Sequence, residues 1–292
     1  MFRAVRQVAV ALAVVVASLG GLGCSVPKPW PPSPLYETPV NDPNWQPPAS
    51  REEAMEAIAG HYAHFDVVAY DGETPNGPLA TFIVSYGFTD FTIEDGELVE
   101  FDRFCSAEYI ANQNLTTEFS DAATQAIEPR SAIVDVFQEN GEWKIYRPAT
   151  PTLIGIDGDP DQPLSTDPND PLINDDDNDG KPGVTVMVKL FNLIRGEIYI
   201  ARREIFQNDL TLYQDGSLRG SVIDDSEQLV VGASLDLLNV PNNPDQWPDL
   251  GLSPIILIPI PDDIDTCEEL MALRDELFPP SPSFQLVSPG CM

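Results

Sequence analysis

The sequence predicts a mainly β protein: an antiparallel barrel or sandwich, with one short helix before it and one helix near its end. Three observations carry this. Runs of β-branched and aromatic residues alternate with turn pairs at Asp95-Gly96, Asn140-Gly141 and Asp215-Gly216, and such pairs between apolar runs are hairpin signals. Two stretches, Ser50-x-x-Glu53 and Thr266-x-x-Glu269, have the spacing of a helix capping box. The 29 prolines, about twice the usual share, favour short strands and many loops.

Composition narrows the function classes. The 292 residues suffice for one large β domain or two small ones, and an apolar content of 42% suffices for a core. The formal charge of −32 argues against nucleic acid as a partner, because phosphate would be repelled. It argues equally against an anionic membrane surface, except through a covalent anchor. An acid excess of this size accords with solubility and cation binding.

Residues 1–23 read as an export signal. Arg3 and Arg6 give a positive start, residues 8–19 are apolar, and Gly20, Gly21, Leu22 and Gly23 lead into Cys24. This resembles the lipobox of bacterial lipoproteins, which are cut before a cysteine that then carries lipid. The pattern departs from the family's at Gly21, where a leucine is usual. The resemblance implies lipidation at Cys24, anchoring in the outer membrane (Ser25 follows the cysteine) and an exported protein on its periplasmic face or at the cell surface. Residues 24–50 then form a proline-rich linker, extended and semi-rigid, which holds a domain away from the membrane.

Residues 51–156 read as a first β-rich half. Residues 52–59 form the short helix, and Gly60 is placed to end it. Residues 61–70 alternate as a strand, with a turn expected at Asp71-Gly72, and residues 79–92 and 98–105 pair around Asp95-Gly96. Residues 131–137 and 143–146 pair around Asn140-Gly141. Gly60-x-Tyr62 after a helix resembles the opening of lipocalin-type barrels, which implies a calycin-like barrel. His61 and His64 are the only histidines. Three apart on a strand they point to opposite faces, which excludes a His–His metal pair.

Residues 157–183 form an acidic connector. Nine aspartates fall between Asp157 and Asp179, interleaved with prolines, and both residue types favour loop. Within it, Asp175, Asp177 and Asp179 stand at alternate positions before Gly180, the D-x-D-x-D-G opening of a calcium loop. Calcium takes six to eight hard oxygens. The three carboxylates and the Lys181 backbone carbonyl are the expected ligands. Position twelve of such a loop is Val186, not glutamate, in a run that reads as strand. The segment therefore resembles the loops of extracellular bacterial and thrombospondin-like proteins rather than an EF-hand.

Residues 184–292 read as a second β-rich half, with residues 51–292 forming one domain as the alternative. Strands are expected at 184–193, 196–203, 210–213, 217–222, 228–235 and, as an edge, 255–260. Arg202-Arg203-Glu204 is expected to pair with internal carboxylates. Asp224, Asp225 and Glu227 are candidates for completing a calcium shell. A helix follows Thr266 to about Leu277. With Cys24 lipidated, Cys105, Cys267 and Cys291 remain in an oxidising compartment. The expected disulfide is Cys267–Cys291, with Cys105 to either of them as the alternative.

No phosphate-binding glycine loop, zinc-protease helix or serine-nucleophile elbow occurs. The reading is a calcium-stabilised, lipid-anchored β domain with a structural or binding role at the cell envelope, its partner a protein or a small apolar ligand. The alternatives are a small-ligand carrier barrel, with a cavity lined by residues such as Phe82, Phe88, Phe91 and Tyr199, and a secreted hydrolase built on two facing carboxylates.

Overall fold

The computed structural model describes residues 24–27, 37–74, 77–112, 115–119, 124–125, 130–190, 194–236, 238–239 and 246–287. The signal segment and Cys291 lie outside them. Strand β1 (Cys24–Pro27) pairs with the last strand, β14 (Phe284–Val287), as a separate two-stranded sheet. All other strands belong to one antiparallel sheet of twelve. These are β2 (Gly60–Thr74), β3 (Gly77–Glu94), β4 (Glu97–Ala111), β5 (Leu115–Phe119), β6 (Arg130–Glu139), β7 (Glu142–Ile154), β8 (Val184–Leu190), β9 (Ile194–Leu212), β10 (Leu218–Asp224), β11 (Glu227–Ala233), β12 (Gln246–Pro248) and β13 (Pro254–Pro259).

The registers reveal a simpler plan. Along β4, β6 pairs with Leu98–Asp102 and β5 with Glu108 and Tyr109, so β5 and β6 run end to end. Along one edge of β9, β7 pairs up to Ile154↔Arg202 and β8 takes over at Val184↔Ile200. On its other edge β10 and β11 follow each other likewise, and β12 and β13 share one edge of β2. The sheet thus has eight lines in chain order: β2, β3, β4, β5/β6, β7/β8, β9, β10/β11 and β12/β13. The pairings of β10 with β13 and of β13 with β2 close them into a ring. This is an up-and-down antiparallel barrel, and it selects the barrel over the sandwich. Both β-rich halves supply strands to the same ring.

Turn chemistry fixes two hairpins as expected. Asp95-Gly96 and Asn140-Gly141 all have positive φ, the backbone that two-residue primed turns require. Asp71-Gly72 is a correction. These residues lie inside β2, paired with Ala80 and Leu79, and the ladder runs on to Thr74↔Gly77. A turn pair is overridden when both flanks can extend the ladder.

Among the described residues the barrel has two large apolar cores and a smaller one of Ile154, Val184, Val186, Ile200 and Val230. Inside, helix α1 (Arg51–Ile58) buries Ala54, Met55 and Ile58 against Phe91, Leu98, Val134 and Trp143, plugging one end. Its N-cap Ser50 accepts from the Glu53 amide at 3.2 Å, but the Glu53 carboxylate takes the Ala49 amide rather than closing the box on Ser50. Outside, β2 and β3 turn Phe65, Val67, Phe82, Val84, Tyr86 and Phe88 towards the C-terminal segment. There α2 (Cys267–Ala272) opens on the complete Thr266/Glu269 capping box, and α3 (Arg274–Leu277) follows. Phe278 stacks on Phe65 and meets Tyr86 at a tilt, with centroids 5.9 and 5.4 Å away, a burial worth about 2 kcal/mol. Part of the expected linker also packs on the barrel: the Arg219 guanidinium donates to the Glu37 carbonyl, and the Trp143 indole to the Pro48 carbonyl at 2.8 Å.

The disulfide corrects the sequence reading. Cys267 bonds to Cys105, not Cys291. The outer core draws α2 onto β3 and β4, placing the two Cα atoms 5.2 Å apart, within bonding range. The bridge links positions 162 residues apart. Replacing both cysteines by alanine is expected to lower stability by about 2–4 kcal/mol, read from denaturant midpoints. Non-reducing peptide mapping should recover a Cys105–Cys267 peptide; a Cys267–Cys291 peptide would contradict the fold.

Candidate metal centre

The acidic connector leaves the barrel at the end of β7 and returns at the start of β8, so its two ends meet on β9. Gly155 and Gly183 make that meeting feasible. Both have positive φ, and a Cβ on Gly183 would sit 2.3 Å from the Ile200 carbonyl oxygen. The bridges Ile156↔Ile173 and Asp175↔Gly183 stitch the ends together. Farther out, the Arg203 guanidinium donates to the Pro160 carbonyl, and Glu227 accepts from the Leu164 amide at 2.7 Å. Asp176 turns away from its neighbours to accept the Gly155 amide.

The other three aspartates converge. Asp175 accepts the amides of Asp179 and Gly180, at 3.0 and 2.8 Å. Asp177 accepts the Thr185 amide at 2.7 Å, and Asp179 accepts the Thr185 hydroxyl at 2.6 Å. Positive φ at Asn178 and Gly180 gives the bend. One carboxylate oxygen from each of Asp175, Asp177 and Asp179 then lies within 4.8 Å of the others. Burial raises the Asp177 carboxyl above its ordinary range, and its neighbours Asp179 and Asp175 add to this. For Asp179 burial acts upward too, but the Thr185 hydroxyl and Lys181 hold the carboxyl below its usual range. The Lys181 ammonium lies 3.3 Å from Asp179 and 2.7 Å from Glu197, with its charged form favoured chiefly by Glu197.

The donor set fits a hard cation. All three converging groups are oxygens, as calcium prefers. A further observation agrees: Asp177 Oδ1 is shielded from water and accepts no hydrogen bond. Such an oxygen costs free energy unless something satisfies it. Val186, at the closing position, is paired in β8 with Ile198, so no bidentate carboxylate closes the loop from there. The second acidic cluster lies elsewhere: Asp224 points into the barrel, and Glu227 holds the connector and Arg203.

Sequence reasoning missed the charges inside the ring. His61 and His64 do point to opposite faces. His61 faces outward, held by Asp90 and the Ile264 carbonyl. His64 is buried, 3% exposed, between Thr89 Oγ1 at 2.7 Å and Asp66 at 2.8 Å. Thr89 donates to Asp102 at 2.7 Å. Arg147, 1% exposed, lies 3.2 Å from Glu100 and 3.7 Å from Asp102. Burial opposes charge on His64, yet hydrogen bonds and attraction from Asp102 and Asp66 lift its pKa to about 10. Burial pushes Asp66 up and, with Asp102 beside it, pushes Glu100 well up. Burial acts the same way on Asp102, but His64 and Arg147 overcome it and hold Asp102 low. His64 and Arg147 thus face Asp66, Asp102 and Glu100, and burial together with the neighbouring Asp102 favours the neutral form of Glu100.

Beyond Phe104 and Phe206 the ring contains a cavity of about 60 Å³, reached by Arg202, Glu204 and Asp224. None of Phe82, Phe88, Phe91 or Tyr199 lines it. Phe82 and Phe88 belong to the outer core, Phe91 packs beside Tyr62 under α1, and the Tyr199 hydroxyl donates to Glu197 near the aspartate turn. No family model, curated protein or solved structure matches the chain.

The buried network dictates a pH dependence. The raised His64 pKa adds stability that is complete below the ordinary 6.5 and is lost as pH rises towards about 10. The raised Glu100 pKa acts in the same sense, costing stability as pH rises from its ordinary 4.5. Glu100→Gln should therefore flatten the fall of the unfolding midpoint as pH rises above 4.5. Parallel midpoint curves for variant and parent would show Glu100 ionised in the fold.

Proposed function

We propose that this chain is a lipid-anchored cell-envelope protein whose barrel is stabilised by calcium and serves a structural or binding role. The observation that carries the calcium reading is the convergence of Asp175, Asp177 and Asp179 at the point where the connector returns to the ring. Calcium there would neutralise three close carboxylates and give the shielded oxygen of Asp177 a partner. The Lys181 backbone carbonyl and water would complete the shell. Its role is to hold residues 155–183 on β9 rather than to perform chemistry. Delivery rests on the lipobox-like run before Cys24. Among the described residues no helix is long and apolar enough to cross a membrane, so the lipid would be the anchor.

The carrier reading is less well supported. The aromatic residues expected to line its cavity point elsewhere, and the cavity is far smaller than the ~300–1,000 Å³ of ordinary ligand pockets. The hydrolase reading needs two free, facing carboxylates. Glu204 and Asp224 instead share the Arg202 guanidinium, at 3.5 and 3.8 Å.

Calcium should raise the unfolding midpoint in a saturable way, EDTA should reverse it, and magnesium should not reproduce it, since a ligand of the folded state stabilises that state. Asp177→Asn should abolish the shift. Lys181→Met should enlarge it, by removing an ammonium that competes with the cation at Asp179. A Lys181→Met variant that loses stability and gains no calcium response would mean that Lys181 is itself the counter-ion. Mass spectrometry of the mature N-terminus checks the anchor: a lipidated Cys24 is expected, and any other unmodified start contradicts it.

A further inference from the structure

The chain carries one proline-rich pattern twice. Residues 278–284 read Phe-Pro-Pro-Ser-Pro-Ser-Phe, and residues 30–36 read Trp-Pro-Pro-Ser-Pro-Leu-Tyr. Both are aromatic–x–x–Ser–x–x–aromatic. Proline-rich chain is held extended with three residues per turn, so the two aromatics and the serine of each copy share one face. In the C-terminal copy that face fills a groove on the outside of the barrel. Phe278 packs on Phe65 and Tyr86, and Phe284 stacks on Phe82 with centroids 5.0 Å apart. Between them the Ser281 hydroxyl donates to Glu108 at 2.9 Å, accepts from Arg274 Nη2 at 3.0 Å and lies 3.0 Å from the Tyr86 hydroxyl. The groove is thus aromatic at both ends and polar in the middle. Aromatic-lined grooves that take a preformed extended segment are a recurring mode of peptide recognition.

The linker copy lies outside the described residues, but both of its flanks are placed, one at each end of this groove. Pro27 pairs with Phe284, at the Phe82 end. The Glu37 carbonyl accepts from Arg219, which is in register with Ile256, which is in register with Phe65 at the other end. Ten steps of extended chain from Pro27 to Glu37 cover about 31 Å, against about 19 Å for the six from Phe278 to Phe284. The linker is therefore long enough to run the length of the groove, in the direction opposite to the C-terminal copy. The pattern survives that reversal, because its serine is central and its aromatics stand three residues away on either side.

We propose that this groove is a recognition site for extended segments of the pattern aromatic–x–x–Ser–x–x–aromatic, and that residues 30–36 are its second ligand, exchanging with residues 278–284 within one chain. In the exchanged form Trp30 sits on Phe82, Tyr36 sits on Phe65 and Tyr86, and Ser33 takes the place between Glu108 and Arg274. The Cys105–Cys267 bridge holds α2 on the barrel throughout, so only the segment after α3 is released. Both ligands are tethered, and a short tether gives a millimolar effective concentration. The two copies therefore compete whatever the concentration of the protein. The site depends on neither calcium nor the lipid anchor.

The test is a cycle on the full chain. Trp30→Ala with Tyr36→Ala removes the linker ligand, and Phe284→Ala weakens the C-terminal one. The linker substitutions are expected to leave the unfolding midpoint of the parent unchanged and to lower that of Phe284→Ala by roughly 2–4 °C, because only there does the linker copy fill the groove. Incorporated 5-fluorotryptophan reads the exchange directly: the Trp30 resonance, assigned by Trp30→Phe, should move on Phe284→Ala. A free peptide of residues 28–38 should bind saturably to the chain carrying all three substitutions and shift the methyl resonances of Val84, which pairs with Glu108 on the groove floor. The same peptide in scrambled order should not. Phe284→Leu keeps the apolar contact and loses the stack; it should give the same ordering at smaller amplitude, so a folding defect in Phe284→Ala cannot shield the proposal. Equal cost of the linker substitutions in parent and variant, no cost in either, or an unmoved Trp30 resonance would each overturn it. A Trp30 shift that grows with protein concentration would assign the ligand to a second copy and contradict exchange within one chain.

Discussion

Ring closure is the constraint on which the rest of this structure depends. An antiparallel sheet with free edges exposes unpaired amides and carbonyls, and a closed ring removes them. Here closure runs through β9, whose 19 residues take β7 and β8 along one edge and β10 and β11 along the other. Because β7 and β8 share that edge, the chain between them must leave the ring and come back almost to where it left. The close approach of Gly155 and Gly183 to Ile200 and the aspartate turn are the means of return. The connector is thus an excursion from one continuous line of strand.

Closure also decides which side chains become interior, and the result is an unusually ionic interior. On β4, Leu98, Glu100 and Asp102 point inward while Phe101 points out, 39% exposed. Leaving one such buried charge without its partner would cost about 3–5 kcal/mol, so His64, Asp66, Asp102 and Arg147 stand or fall together.

Much of this was legible in the sequence. The mainly β class, the capping residues Ser50 and Thr266, the primed turns at Asp95-Gly96 and Asn140-Gly141, and the grouping of Asp175, Asp177 and Asp179 all follow from local chemistry, which acts over a few residues. What was illegible depends on distant partners. Alternation along β4 shows two faces but not which is inside. Its apolar Val99 and Phe101 suggest the wrong one, because His64 and Arg147, which make an inward Glu100 and Asp102 tolerable, come from other lines of the ring. The Asp71-Gly72 pair signals a turn that its neighbours' ladder overrules. The pairing of Cys105 with Cys267 needed the outer core around Phe278, which no spacing of cysteines reveals.

The central claim is that one ring draws strands from both sides of the acidic connector. A protease site placed in the exposed stretch 166–169 tests it most directly. After cleavage, with the Cys105–Cys267 bridge reduced, the two fragments should still elute as one particle and keep the β-sheet circular dichroism of the intact chain. They are joined by the β7–β9, β5–β8 and β13–β2 ladders. Fragments that separate, each retaining its own cooperative unfolding, would show two independent domains and contradict the account.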